Sequence, residues 1–124
     1  MKTILVTTDQ EISVKDITPE KDFYRHASDL LGGGIVEKVN IWPIFTNIGF
    51  KPIMLIDESG SLKGLPKNRL GTILYNALAP DTYFVNIHGD ILFGKLDYGP
   101  SGPDWFPLTD QETAKLMEGL KHVL

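Results

Sequence analysis

Four side chains able to bind an anion fall close together in this chain of 124 residues. Lys63, Lys67, Asn68 and Arg69 lie where a polar loop gives way to an apolar pattern typical of a helix. The first N–H groups of a helix have no partner within it and carry partial positive charge, so they attract phosphate or carboxylate. The segment therefore predicts a site for a small anion, with Arg69 supplying a planar fork of donors.

The same four residues also permit a plainer interpretation. Asn68 can cap the helix by accepting a hydrogen bond from a backbone N–H group, while the cations remain solvated. The segment is not a P-loop, because the spacing of that motif is absent around Gly64. The sequence alone leaves both interpretations of the cluster open.

Two further pairs of residues complete the candidate ligand-binding set. His88 and Asp90 flank Gly89 at a predicted turn, where they can contact a ribose or an amide. Tyr98 and Trp105 belong to the segment YGPSGPDWFP, which its prolines and glycines mark as a loop. An exposed aromatic ring there can stack on a base or contact another subunit. Alternatively, the loop can fold back as a plug under the last helix.

The chain carries no recognisable catalytic set. It has no cysteine, which excludes thiolate nucleophiles and thiolate metal ligands. Its histidines show no H-E-x-x-H spacing, and no serine stands in a G-x-S-x-G motif. Asp57, Glu58 and Asp90 stand at predicted strand ends, where such side chains commonly bond the local backbone. We therefore expect no catalytic residue, no metal site, no cofactor and no enzymatic activity.

Composition limits the partners. The formal net charge is −4, so electrostatics disfavour polymeric nucleic acid and an anionic membrane surface. No segment approaches the ~20 apolar residues of a membrane span, and Ile4–Val6 is too short for a signal-peptide core. The length corresponds to a single domain, residues 1–124. We expect a soluble, cytoplasmic protein that binds neither membrane nor polymeric nucleic acid.

Hydrophobic periodicity predicts an α+β fold in the order ββαββαββα, with a mixed, mainly antiparallel sheet and about three helices. The strands are expected at Lys2–Thr7, Glu11–Ile17, Ile35–Trp42, Pro52–Asp57, Thr82–Ile87 and Ile91–Leu96. Thr18, Asn68 and Thr109 are the expected helix caps, and Thr109 forms a capping box with Glu112. Gly32–Gly34 ends the first helix. Short connections favour antiparallel pairing, with the helices on one face of the sheet.

One predicted strand stands out because it is apolar at every position from Ile53 to Ile56. A strand of this kind at an exposed edge would invite aggregation. We therefore expect it to be central and to be packed by the helices that begin near Pro19 and Asn68.

Four short motifs occur in the same order as in a known family. They are Leu31-Gly32-Gly33, Met54–Gly60, Leu65–Arg69 and Gly89–Leu92. On these motifs the chain resembles the domain-of-unknown-function family 3846, which is common in phages and mobile elements, and the order and spacing match over Leu30–Lys95. The resemblance implies a phage or mobile-element protein in the host cytoplasm. It supplies no catalytic residues and does not extend to the Tyr98–Pro107 loop.

The chain is small and acidic, with basic residues at the predicted start of a helix and aromatic residues in a predicted loop. These features are typical of a binding protein. We expect it to sequester a small anionic ligand such as a host defence nucleotide signal, with Arg69 and a neighbouring lysine on phosphate. Tyr98 or Trp105 would stack on the base, and a homo-oligomer would place pockets at subunit interfaces. The alternative is a protein-interaction module that inhibits a host protein through its acidic surface and the Tyr98–Pro107 loop. A nucleotide hydrolase would need a general base near the phosphate, and the sequence offers no convincing one.

Overall fold

The computed structural model describes residues 1–17, 22–45, 48–79 and 83–124. The described strands are β1 (Lys2–Val6), β2 (Ile12–Asp16), β3 (Val36–Asn40), β4 (Lys51–Asp57), β5 (Ile91–Gly99) and β6 (Gly102–Phe106). The described helices are α1 (Phe23–Leu30), α2 (Arg69–Leu78) and α3 (Asp110–Val123). The α+β class and the order ββαββαββα are therefore confirmed. Within these ranges, no helix is both long enough and apolar enough to cross a membrane.

The strands form one sheet in the order β2-β1-β5-β4-β3, with β6 also beside β5, and every described pairing is antiparallel. β5 pairs along one edge with β4. Its other edge is shared, because β1 pairs with Ile91–Phe93 and β6 pairs with Lys95–Gly99. Lys2 and Leu108 exchange two backbone hydrogen bonds of 2.7 Å, which join the start of β1 to the chain after β6. β1 and β6 thus lie end to end along β5.

Gly94 falls between these two partners of β5 and brings α1 close to the sheet. A Cβ atom at this position would lie 2.5 Å from the Phe23 ring and 2.8 Å from the Phe106 carbonyl oxygen. Glycine therefore allows Phe23 to pack directly on β5.

Helices cover both faces of the sheet, so the expectation that they share one face is wrong. α1 buries Phe23 and Ala27 on the face where Leu55 lies. α2 and α3 cover the opposite face, where Met54 and Phe93 lie. The physical reason is that β1, β4 and β5 carry apolar side chains on both faces, and one layer of helices would leave half of them in water.

β4 is an internal strand, as its apolar run predicted. It lies between β3 and β5 in the sheet, and the side chains of Ile53–Ile56 are all buried. Leu55 belongs to the core cluster beneath α1, and Met54 belongs to the cluster beneath α2 and α3. The prediction of a central strand packed by helices is confirmed.

The ends of α1 follow local chemistry. The predicted start at residues 18–20 lies outside the described residues. Within them, the helix begins at Phe23, and the Asp22 side chain caps it. Gly32 and Gly33 follow the helix with φ of 100° and 89°, in the left-handed region that glycine adopts without steric cost. The predicted glycine stop is confirmed.

The caps predicted for α2 and α3 are confirmed as well. The Asn68 side chain accepts a hydrogen bond from the Gly71 N–H at 2.8 Å. Thr109 accepts from the Glu112 N–H at 3.1 Å, and the Glu112 carboxylate accepts from the Thr109 N–H at 2.9 Å. This reciprocal pair is a complete capping box.

The strand predicted at Thr82–Ile87 is wrong for its described part. Residue 82 lies outside the described residues, and residues 83–87 belong to no strand. Their described backbone bonds go instead to the side chains of Thr72 and Asn76 on α2 and to the backbone N–H of its cap, Asn68. Apolar composition alone does not distinguish an extended segment tied to a helix from a strand tied to a sheet.

The Tyr98–Pro107 segment is not a loop, because β5 continues to Gly99 and β6 begins at Gly102. The three prolines suggested a loop, but all are compatible with a hairpin, and Pro107 lies just after β6. Pro100 lies in the two-residue connection, and Pro103 lies on β6, whose only described partner strand is β5. A strand with one partner tolerates a missing N–H.

Candidate ligand pocket beside Tyr98

The four residues around the start of α2 do not act together as one anion site. Lys63 Nζ lies 2.7 Å from Oδ2 of buried Asp57, so its charge is neutralised. Asn68 is fully buried. Lys67 and Arg69 are exposed, and their side chains have no partner among the described residues. Two of the predicted ligand groups are therefore engaged within the protein, and the other two extend into solvent.

Asp57 explains the position of Lys63. Burial would raise the pKa of the Asp57 carboxyl group, but hydrogen bonds from Lys63 and from the Ser59 N–H outweigh burial and hold this pKa below its ordinary value. The carboxylate is therefore charged at neutral pH, and Lys63 stabilises it.

The Asn68 side chain joins β1, α2 and the turn before β5. Its amide nitrogen donates to the carbonyl oxygens of Val6 and Gly89, each at 3.0 Å. Its amide oxygen accepts from the Gly71 N–H. Both donors are used within the fold, so this amide holds the protein together and offers no donor to a ligand.

His88 and Asp90 lie at the same end of the sheet and also have protein partners. His88 Nδ1 lies 3.0 Å from the Leu65 carbonyl oxygen, and Asp90 Oδ1 accepts from the Thr8 N–H at 3.0 Å. Among the described residues, Asp90 supplies the only charge in the wall of a pocket of about 270 Å³, to which three of the four family-like motifs contribute residues. A carboxylate repels an anion, so this pocket does not suit the predicted ligand.

The aromatic candidates lie at the other end of β5. Tyr98 is eight positions beyond Asp90, about 27 Å along an extended strand, so no small ligand can contact both. The ring of Trp105 packs on Tyr24 of α1, with centroids 5.4 Å apart. It therefore lies on the α1 face, and the interpretation of this segment as a plug under the last helix is wrong for Trp105. Tyr98 is 80% exposed.

A pocket of about 260 Å³ lies beside Tyr98, and we name it the Tyr98 pocket. β4 begins at Lys51, opposite Leu96, so the end of β5 extends past β4 and leaves a notch in the sheet. Its walls come from the chain entering β4 (Gly49–Lys51), from β5 (Lys95–Tyr98), and from Pro103 and Glu112. Of the ligand-binding residues predicted from the sequence, Tyr98 is the one in these walls.

An ion pair forms the floor between β5 and α3. Lys95 Nζ lies 2.8 Å from Oε1 of Glu112 and 3.0 Å from its Oε2. Burial would raise the pKa of Glu112, but the hydrogen bonds from Lys95 and from the Thr109 N–H outweigh burial and lower it. Glu112 is therefore charged at neutral pH and already surrounded by donors.

Asp97 and Lys51 are the other charged residues of the Tyr98 pocket. Asp97 accepts a hydrogen bond from the Tyr98 N–H at 2.8 Å. Lys51 has no carboxylate partner among the described residues, and its Nζ lies 5.1 Å from the centroid of the Trp42 ring. Asp97, like Lys51, has no oppositely charged partner among the described residues. Lys51 can therefore attract an anionic group, while the charge of Asp97 opposes it.

Sequence reasoning missed Lys51, Lys95 and the second role of Glu112. One signal was present, because Lys95 is the charged residue within the apolar segment Ile91–Leu96, and a charge in such a segment implies a partner. That Lys51 lies beside it follows from the register of β4 on β5, which the sequence does not show.

Comparisons with known proteins show the fold alone. No protein-family model matches the chain, and no curated protein matches it, so the resemblance to family 3846 stays a prediction. The chain is similar to the crystal structure of the small RNA methyltransferase HEN1, with a TM-score of 0.57 and 13% sequence identity. The match covers 95% of this chain and 16% of that chain, so this chain spans less than a fifth of the methyltransferase.

Proposed function

We propose that this chain is a phage or mobile-element binding protein without catalytic activity, which sequesters a small anionic ligand such as a host defence nucleotide signal. The origin rests on the resemblance to family 3846. The ligand class rests on the chemistry of the Tyr98 pocket. The observation that carries the proposal is Tyr98, a ring 80% exposed at the rim of a pocket that also holds a lysine without a carboxylate partner among the described residues.

The Tyr98 ring offers a stacking surface for a flat ligand. Stacking of a base on an aromatic side chain contributes about 1–3 kcal/mol, whichever the base. Tyr98 lies opposite Pro103 in the β5–β6 hairpin, so its backbone is already ordered before the ligand arrives. Binding then loses less conformational entropy than it would on a mobile loop.

Two lysines supply the attraction for the anionic group. In the described part of the chain, no carboxylate pairs with Lys51 and competes with the ligand. Lys95 adds positive charge to the wall of the pocket, although its Nζ lies on the α3 face of β5 and bonds Glu112. The volume of about 260 Å³ lies just below the ~300–1,000 Å³ usual for ligand pockets. We therefore expect a ligand no larger than a single nucleotide.

A release experiment tests the proposal. The protein is incubated with a panel of nucleoside monophosphates, cyclic nucleotides and the matching nucleosides. It is then washed and heated, and the released compounds are identified by mass spectrometry. Release of an intact nucleotide, without its nucleoside, supports sequestration of an anion. Release of a processed nucleotide contradicts the absence of catalysis. If nothing is released, the binding proposal fails.

The protein-interaction module remains the second candidate, because a partner can also cover the exposed Tyr98 ring. In this alternative the partner is a host protein. The homo-oligomer is expected for the sequestering protein, whose pockets would lie at subunit interfaces. Light scattering of the wild type and of Tyr98→Ala tests the homo-oligomer: a monomeric wild type contradicts it, and an oligomer that Tyr98→Ala dissociates assigns Tyr98 to the subunit interface.

A further inference from the structure

Along one edge, residues 85–87 form hydrogen bonds with α2 and with its cap. The Asn76 side chain accepts from the Val85 N–H at 2.9 Å and donates to the Val85 carbonyl oxygen at 2.8 Å. Two residues later, the Ile87 N–H donates to Thr72 Oγ1 at 3.0 Å, and the Ile87 carbonyl oxygen accepts from the Asn68 N–H at 2.8 Å. Asn68, Thr72 and Asn76 are spaced four apart, so they lie on one side of the helix.

The opposite edge of this segment is open at Asn86, up to His88, whose carbonyl oxygen lies against Gly60. Val85 and Ile87 bond α2 through their backbone groups, and Asn86 lies between them. In an extended chain, successive backbone groups point to opposite sides, so the N–H and C=O groups of Asn86 point away from α2. No described residue bonds either group, and Asn86 is exposed. An unpaired extended edge of this kind accepts another strand.

An acidic groove of about 190 Å³ runs beside the open edge, lined in part by Val85–His88, Ile56 and the carboxylates of Glu37 and Glu58. Neither glutamate has a cationic partner among the described residues. Asp57 also lines the groove, but Lys63 neutralises its charge. The groove therefore has uncompensated negative charge.

Two exposed aromatic rings stand at the start of the segment. Tyr83 is 81% exposed and Phe84 is 73% exposed. Large rings left in water next to an open backbone edge are typical of a surface that another chain covers.

We propose that residues 84–87 are a docking edge for an extended basic segment of a partner protein. The partner strand pairs with the backbone of Asn86, its lysine or arginine side chains lie in the groove beside Glu37 and Glu58, and its apolar side chains cover Phe84. A second copy of this chain is the less suitable occupant, because a net charge of −4 opposes its approach to an acidic groove. The site lies at the opposite end of the sheet from the Tyr98 pocket and does not depend on it.

A synthetic peptide tests the docking edge. The probe is an acetylated and amidated seven-residue peptide in which lysine and valine alternate, and binding is followed by fluorescence polarisation and by amide chemical shifts. We expect shifts centred on Asn86, and no binding when glutamate replaces lysine in the peptide. Absence of binding by the lysine peptide at millimolar concentration would overturn the proposal.

Two peptide versions test strand pairing directly, each methylated on a different set of alternate backbone nitrogens. One set faces the protein and the other faces solvent, so one version should bind about tenfold or more weakly than the other. Equal binding by both versions would exclude edge pairing.

Charge in the groove is tested with matched exposed glutamates. Glu37→Gln and Glu58→Gln should each weaken binding about two- to fivefold without changing the melting temperature. Glu118→Gln, on α3, is the control and should leave binding unchanged. If Glu118→Gln weakens peptide binding equally, the cause is the overall charge of the protein and not the charge of the groove. If the peptide competes with self-association of the protein, the occupant of the edge is a second copy of this chain. That result would also overturn the proposal.

Discussion

Oε1 of Glu112 accepts hydrogen bonds from both Lys95 Nζ and the Thr109 N–H, at 2.8 and 2.9 Å. One carboxylate oxygen thus connects the wall of the Tyr98 pocket with the first turn of α3. The side chains of Lys95 and Glu112 are only 13% and 19% exposed, so water cannot readily replace either partner.

Lys95→Met should destabilise the protein more than Glu112→Gln does. Methionine leaves the Glu112 charge without its cation, which costs about 2–4 kcal/mol at a half-buried site. Glutamine keeps the acceptor of the capping box, so we expect a loss of about 1–2 kcal/mol. Urea unfolding at neutral pH measures both. A larger loss for Glu112→Gln would contradict this order and show that unpaired Lys95 costs more than unpaired Glu112.

The two confirmed helix caps should differ in strength. Asn68→Ala removes the donor to Val6 and Gly89 and the acceptor of Gly71 in the buried interior, so it should cost about 3 kcal/mol or more. Thr109→Ala removes an ordinary exposed cap and should cost about 1 kcal/mol. Chemical denaturation of the two variants side by side gives the comparison. Equal losses would mean that the long-range bonds of Asn68 contribute nothing measurable.

These caps show what the sequence could and could not predict. Both were recognisable because a cap is a local pattern of a few residues, and the same holds for the glycines after α1. The bond from Asn68 to Val6 spans 62 residues, and no local pattern encodes it. The site was harder still, because Lys51, Lys95 and Glu112 come from three separate elements.

The wrong assignments have a common physical cause. Proline and glycine in residues 98–107 indicated a loop, yet a hairpin accepts them in its turn and on a strand with one partner. The apolar residues 83–87 indicated a strand, yet their bonding partners are helix side chains. In both cases tertiary context decided the structure, and composition did not report that context.

Leu55→Ala and Leu62→Ala form a matched pair for the core. Leu55 is fully buried under α1, so its truncation should cost about 2–5 kcal/mol. Leu62 is 93% exposed, and its truncation should change stability by about 0.5 kcal/mol or less. Denaturant titration of both variants checks the assignment. A loss below about 1 kcal/mol for Leu55→Ala would contradict the packing of β4.

Lys63→Met should destabilise the protein at neutral pH by about 1–3 kcal/mol, less than for a fully buried pair because Lys63 is partly solvated. The pKa of Asp57 is lowered in the folded chain, while an unfolded aspartate has a pKa of about 3.9. Between the folded and the unfolded pKa of Asp57, the unfolded state therefore binds more protons than the folded state. The free energy of unfolding due to the ion pair is fully present above pH ~4, and it is lost as the pH falls through the folded pKa.

The difference between wild type and Lys63→Met should accordingly shrink below pH ~4. Unfolding curves between neutral and acidic pH measure it. Lys67→Met is the matched control, because Lys67 is exposed and has no described partner, and it should leave stability unchanged throughout. A deficit of Lys63→Met that persists undiminished in acid would exclude Asp57 as its origin.

Titration calorimetry of Tyr98→Ala and Tyr83→Ala, with the nucleotide released from the panel, tests the central claim most directly. The two tyrosines are almost equally exposed, at 80% and 81%, but only Tyr98 borders the pocket that holds Lys51 and Lys95. We predict that Tyr98→Ala weakens binding about tenfold or more through loss of stacking, and that Tyr83→Ala binds as the wild type does. Wild-type affinity in Tyr98→Ala, or equal weakening in both variants, would contradict the assignment of the ligand to the Tyr98 pocket.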